Sequence, residues 1–194
     1  MKIKLLKGLC LLVAALLPTS LDAVGEETPE KPGLSVGHRA PAFTLKDQND
    51  KEVSLDALLK KGPVALVFFR SADWCLYCKL QVVQLQRNLK EFQAAGGQVV
   101  GISFDSVEIL NRFARRSRIT FPLLSDVGSK TIDAFEIRDQ ESPKGNSYHG
   151  TFVIDQQGVV RAKLFQVSYQ ERPAVEALVQ TLKDARNPKG EIKQ

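Results

Sequence analysis

A continuous apolar run, Val64-Ala65-Leu66-Val67-Phe68-Phe69, leads directly into Arg70-Ser71-Ala72-Asp73-Trp74-Cys75-Leu76-Tyr77-Cys78-Lys79. An uninterrupted apolar run of this length predicts a strand covered on both faces, and that requires layers above and below a sheet. The segment behind it has helical period: Cys78, Val82, Leu85, Leu89 and Phe92 recur at spacings of four and three, so they share one stripe of a helix. Two cysteines three apart at the start of a helix that follows a buried strand are arranged for thiol–disulfide chemistry. The phasing turns Cys78 toward the core and places Cys75 one turn earlier, where its sulfur is expected to meet solvent and unpaired backbone N–H groups.

The chain has 194 residues, 43% hydrophobic and 25% charged, enough for one domain with a proper core. Its formal net charge is +5. The leader-like start contributes Lys2, Lys4 and Lys7 against Asp22, and the remainder, about +3, gives no argument for nucleic acid. Residues 1–23 read as a signal peptide: a lysine-bearing start, an apolar run from Leu9 to Leu17, then Pro18-Thr19-Ser20-Leu21-Asp22-Ala23 as a cleavage region. That run is too short to span a bilayer, so no stable membrane association is expected after cleavage. Cys10 leaves with the leader, and the mature chain keeps Cys75 and Cys78 in an oxidising compartment, best matched by a bacterial periplasm.

Residues 24–33 form a polar, proline-broken lead-in, and the domain occupies residues 34–186, with a polar tail at 187–194. Phe43-Thr44-Leu45 and Glu52-Val53-Ser54-Leu55, separated by a polar turn from Lys46 to Lys51, predict a hairpin, followed by a short helix ending at Lys61-Gly62-Pro63. Gln98 to Phe104 is a second buried strand, with Asp105-Ser106 capping the helix behind it. Phe121-Pro122-Leu123-Leu124 is a short edge strand or a strand start, and Thr131 to Phe135 a turn of helix. Thr151 to Ile154 and Val159 to Leu164 predict a second hairpin around Asp155-Gln156-Gln157-Gly158. A last helix with Pro173 in its first turn buries Val175, Leu178, Val179 and Leu182. Strand–helix alternation closed by an antiparallel hairpin gives an α/β domain with a mixed sheet and helices on both faces.

Only the thiolate attacks, so the environment must favour it; the positive end of a helix and its free N–H groups do this at Cys75. Attack by Cys75 on a disulfide gives a mixed disulfide that Cys78, one turn away, displaces. Trp74 shields the sulfur, Lys79 adds a positive charge, and Leu76-Tyr77 tunes the potential. A purely structural disulfide closing so short a loop contributes little stabilisation, and a zinc knuckle lacks its second cysteine pair. The cluster Arg112, Arg115, Arg116 and Arg118 reads as a solvated face, with docking of an acidic partner as the alternative.

Gly37-His38-Arg39-Ala40-Pro41-Ala42-Phe43-Thr44-Leu45, Trp74-Cys75-Leu76-Tyr77-Cys78-Lys79, Phe121-Pro122-Leu123-Leu124-Ser125-Asp126 and Gly150-Thr151-Phe152-Val153-Ile154-Asp155 together resemble the thioredoxin superfamily. Within it they resemble the peroxiredoxin-like redoxins of the alkyl hydroperoxide reductase and thiol-specific antioxidant family. The resemblance runs from about Gly37 to Phe165 and implies a thioredoxin fold with an N-terminal hairpin, an oxidoreductase that needs no cofactor, and a site built from Cys75 and Cys78 with Trp74, Tyr77, Lys79, His149 and Thr151 in support. Arg70 to Trp74 lacks the proline and threonine that peroxiredoxins place before their cysteine, and His149 stands where they carry arginine and where thioredoxins carry a cis-proline. The Trp-Cys-x-x-Cys-Lys string is similar to thioredoxin. Thiol–disulfide exchange with a disulfide-bearing substrate and an upstream redox partner is therefore the first reading, and a hydroperoxide-reducing peroxidase the alternative. A Cu(I) or other soft-metal carrier using Cys75, Cys78 and His149 is the third.

Overall fold

The computed structural model describes residues 32–165 and 170–186; the leader, most of the lead-in and the polar tail lie outside the described residues. The chain order is β1 (Thr44–Asp47), β2 (Glu52–Ser54), α1 (Leu55–Leu59), β3 (Val64–Phe68), α2 (Leu76–Arg87), α3 (Leu89–Ala94), β4 (Gln98–Ser103), α4 (Val107–Ser117), β5 (Leu123–Ser125), α5 (Lys130–Ala134), β6 (Gly150–Ile154), β7 (Val160–Leu164) and α6 (Val175–Arg186).

The strands form one seven-stranded sheet in the order β2-β1-β5-β4-β3-β6-β7. β3 runs parallel to β4, and β4 to β5, while β1 on one side and β6 and β7 on the other are antiparallel to their neighbours. β3 is interior, between β4 and β6, and every one of its residues is buried. Its alternation divides the core in two: Ala65 and Val67 join the cluster under α2, α4 and α6, whereas Val64, Leu66 and Phe68 join the opposite cluster with Leu58 of α1 and Ile132 of α5. The mixed sheet with helices on both faces and its N-terminal hairpin is the α/β arrangement expected from the sequence.

Three local expectations change. The stripe of Cys78, Val82, Leu85 and Phe92 is buried as phased, but the helix breaks at Asn88 (φ −103°, ψ 15°), whose side-chain amide donates to the Gln84 carbonyl at 2.9 Å, separating α2 from α3. The Phe121–Leu124 segment does start a strand after Pro122, but β5 is interior, between β1 and β4. Gln48, placed in a polar turn, is buried: its amide donates to the Phe121 carbonyl at 3.1 Å and its carbonyl accepts from the Leu123 N–H at 2.8 Å, clamping the start of β5.

Candidate active site

The parallel register pairs Phe68 with Ile102, and the Phe69 N–H continues to the Ile102 carbonyl at 3.0 Å, so the loops leaving β3 and β4 emerge side by side. Ligand and reaction sites in open α/β sheets favour this carboxyl edge. The β3 loop carries the cysteines. Cys75 is the N-cap of α2: its backbone is extended (φ −89°, ψ 100°) and its Sγ accepts from the Cys78 N–H at 3.3 Å, one of the orphan donors of the first turn. Cys75 and Cys78 are joined as a disulfide with Cα atoms 5.3 Å apart.

Both cysteines are 0% exposed. Cys78 faces the core as phased, but Cys75 does not meet solvent as expected. Helical phase locates a residue relative to its own axis only; Cys75, bonded to Cys78, lies in the buried cluster that includes Val67 and Val82, with Trp74 packed against that cluster. Arg70 and Lys144 both lie over the Trp74 ring, 4.9 and 4.8 Å from its centroid, so a segment seventy residues downstream of Trp74 also closes on this loop.

The loop before Cys75 is held by Asp105, the first residue of the Asp105-Ser106 pair expected to cap α4. Ser106 is that cap, accepting from the Ile109 N–H at 3.4 Å. The buried Asp105 carboxylate instead accepts from the Ala72 N–H at 2.6 Å, the Ser71 hydroxyl at 2.8 Å and the Ser103 hydroxyl at 2.8 Å. Burial pushes its carboxyl above the ordinary 3.8, while the bonds from Ala72, Ser71 and Ser103 act in the opposite direction.

The supporting residues fall into place unevenly. Lys79 turns back over the loop, its Nζ donating to the Asp73 carbonyl at 2.8 Å. Tyr77 is half-buried on α2 between the cysteines. Thr151 pairs with Val67 across β6 and β3 and so faces the cysteine side of the sheet, fully buried, with no hydrogen-bond partner for Oγ1. His149 precedes Gly150, the partner of Phe68, which puts it, half-buried, at the sheet end from which the cysteine loop departs. Among the described residues no three His, Cys, Asp or Glu side chains are grouped to hold a metal ion, and Cys75 and Cys78 are engaged with each other as a disulfide. His149 follows no cis bond, and none occurs among the described residues.

One contact had no signal in the sequence. Arg172, just ahead of α6, donates from Nη2 to Cys78 Sγ at 3.8 Å, from Nε to the Gln81 side-chain carbonyl at 3.0 Å and from Nη1 to the Glu171 carbonyl at 2.6 Å.

The AhpC/TSA family pattern matches residues 36–163. Peroxiredoxin Bcp of Escherichia coli K12 is 34% identical over 131 residues, covering 66% of this chain and 83% of that protein. A putative peroxiredoxin of Mycobacterium tuberculosis is 35% identical over 138 residues, 69% of this chain and 87% of the relative. Among solved structures, peroxidoxin BcpB of M. tuberculosis superposes with a TM-score of 0.68 at 26% identity, covering 81% of this chain and 99% of that one. A peroxiredoxin-like protein of Aquifex aeolicus gives 0.70 at 22% identity over 80% and 90%, which bears on the fold alone. A thioredoxin-type sheet carrying a helix-capping cysteine pair, matched over this length, is decisive: the chain belongs to the AhpC/TSA family, as a peroxiredoxin-like oxidoreductase of the thioredoxin superfamily.

Proposed function

We propose that the protein is a peroxiredoxin-type thiol peroxidase in which Cys75 is the peroxide-reacting thiol and Cys78 the resolving thiol. The observation that carries this is the Cys75–Cys78 pair at the N-terminus of α2, in a chain whose relatives are named peroxiredoxins. Reduced Cys75, as thiolate, attacks the distal oxygen of a hydroperoxide; the O–O bond breaks, an alcohol or water leaves with a proton, and Cys75 becomes a sulfenic acid. Cys78 then attacks that sulfur, water is released, and the observed disulfide forms. A dithiol partner returns both cysteines to thiols and is itself oxidised. The helix terminus favours negative charge on Cys75, and the Asp105 anchor fixes the loop that presents it.

The couple equally supports thiol–disulfide exchange without peroxide, the first reading of the sequence. That reading is favoured by Ala72 and His149, which occupy the segments where a peroxidase would carry its threonine and arginine. The leader-like start supports an extracytoplasmic setting for either reaction.

Rapid mixing of the reduced protein with hydrogen peroxide and with an alkyl hydroperoxide separates them. A peroxidase oxidises Cys75 orders of magnitude faster than a free thiol, and Cys75→Ser abolishes the reaction. Oxidation at the free-thiol rate, together with reduction of insulin disulfides, overturns the peroxidase in favour of exchange.

A further inference from the structure

The two sulfurs of the couple have different electrostatic neighbours. Cys75 Sγ is served by α2 itself, through the Cys78 N–H and the positive end of the helix. Cys78 Sγ sits inside the first turn and turns toward the core. The group that reaches it is the guanidinium of Arg172, 3.8 Å away, from a segment 94 residues further along the chain. Gln81, one turn beyond Cys78 and only 4% exposed, accepts from Arg172 Nε at 3.0 Å and so fixes the plane of the guanidinium beside the sulfur. A cation gains little from a neutral disulfide sulfur at that distance and far more from a thiolate in a largely water-free site.

We propose that Arg172 is a catalytic residue of the couple, stabilising the negative charge that resides on Cys78 Sγ whenever the disulfide is open, with Gln81 as its positioning residue. The inference rests on the reading that Cys75 and Cys78 cycle between dithiol and disulfide. When a reductant thiolate attacks Cys75 Sγ, a new S–S bond forms, the Cys75–Cys78 bond breaks and its electron pair passes to Cys78 Sγ, the leaving group that Arg172 faces. The reductant's second thiolate then releases Cys75 as thiolate and leaves as a disulfide, completing the two-electron transfer. In the oxidative direction the same stabilised Cys78 thiolate attacks the Cys75 sulfenic acid, and the departing hydroxide takes up a proton to become water. A lower-energy thiolate leaves faster and is present in larger fraction at neutral pH.

The test uses the full chain with Arg172→Met, which keeps the apolar stem and removes the charge, Arg172→Lys, which keeps a charge, and Gln81→Leu. Equilibration with dithiothreitol or glutathione redox buffers reads the couple. Arg172→Met is expected to make the disulfide about tenfold harder to reduce, a potential lower by about 30 mV. Arg172→Lys should retain most of the wild-type value, and Gln81→Leu should fall between. In a Cys75→Ser background, the ultraviolet absorbance of the Cys78 thiolate should grow in at higher pH once Arg172 is replaced by Met. An unchanged potential and thiolate titration in Arg172→Met overturn the proposal, as does a Lys variant no better than Met. Because neither readout involves peroxide, failure of Cys75 to react with hydroperoxide would sink the peroxidase reading while leaving the Arg172 role standing or falling on its own.

Discussion

The Asp105 carboxylate accepts a 2.6 Å hydrogen bond from the backbone N–H of Ala72, across 33 residues of chain, and thereby ties the loop after β4 to the loop that carries Cys75. Ser71 and Ser103 donate to the same carboxylate, so a single buried side chain satisfies three donors that would otherwise be stranded at the sheet edge. Asp105→Ala is expected to destabilise the fold by about 1–3 kcal/mol, the cost of leaving such donors without an acceptor. Urea unfolding measures this, and the reaction rate of Cys75 should fall in conditions where the variant remains fully folded, because the loop before it is no longer anchored. An unaltered Cys75 rate in the folded variant would argue against the anchoring role.

The same carboxylate predicts a pH dependence of stability. Its folded-state pKa lies above the ordinary 3.8 because burial disfavours the charge. Its contribution is therefore fully present below 3.8 and is lost as pH rises through the raised folded value. Asp105→Asn cannot titrate. The stability of wild type minus that of the Asn variant should decline across this window in urea melts at stepped pH; a difference that grows with pH contradicts the assignment.

Gly150 pairs with Phe68 directly beside His149, and a Cβ there would lie well inside van der Waals contact with the Phe165 ring. Phe165 is itself buried, 4% exposed, in edge contact with Phe152. Gly150→Ala should cost about 1–3 kcal/mol through overpacking, read as a lower denaturant midpoint, and Gly150→Ala/Phe165→Leu should recover part of it.

Gln48 makes a two-way clamp on β5, and replacing it with Leu removes both bonds while leaving a buried carbonyl and N–H without partners. An expected loss of about 2 kcal/mol follows, detectable by thermal or urea unfolding. Amide exchange at Leu123 should accelerate in the variant, since its N–H is bonded to the Gln48 side chain.

Trp74 is the only tryptophan in the chain and adjoins Cys75. Disulfides quench nearby indole emission, so reduction should raise the intrinsic fluorescence, and Cys75→Ser should abolish the change. This offers a redox readout that needs no label. Equal emission in both redox states would place the ring away from the sulfurs.

The fold was legible where the determining contacts are periodic. Val64 to Phe69 reads as a strand covered on both faces because β3 is flanked by β4 and β6 and roofed on each side, and the α2 stripe reads correctly because Val82, Leu85 and Phe92 all meet one core. What escaped was set by partners distant in sequence. The Asp105-Ser106 pair reads as a cap and Ser106 is one, yet the Asp105 carboxylate is claimed by Ala72 across the sheet edge. Gln48 sits in a polar stretch, and only the arrival of Phe121 and Leu123 buries it. Arg172 approaches Cys78 from 94 residues away, a distance at which no spacing rule operates. The inward side of Cys78 was readable from phase, whereas Cys75 lies outside the helical period that phase describes and is buried in the cluster against which Trp74 packs.

The burial of both sulfurs bears on how fast any reductant can act. Cys75 is 0% exposed, so its reduction by a thiol in solution is expected to require a local opening around the pair. Reduction then follows gated kinetics: proportional to reductant at low concentration, and at high concentration levelling off at the opening rate, the same plateau for every reductant whatever its chemical strength.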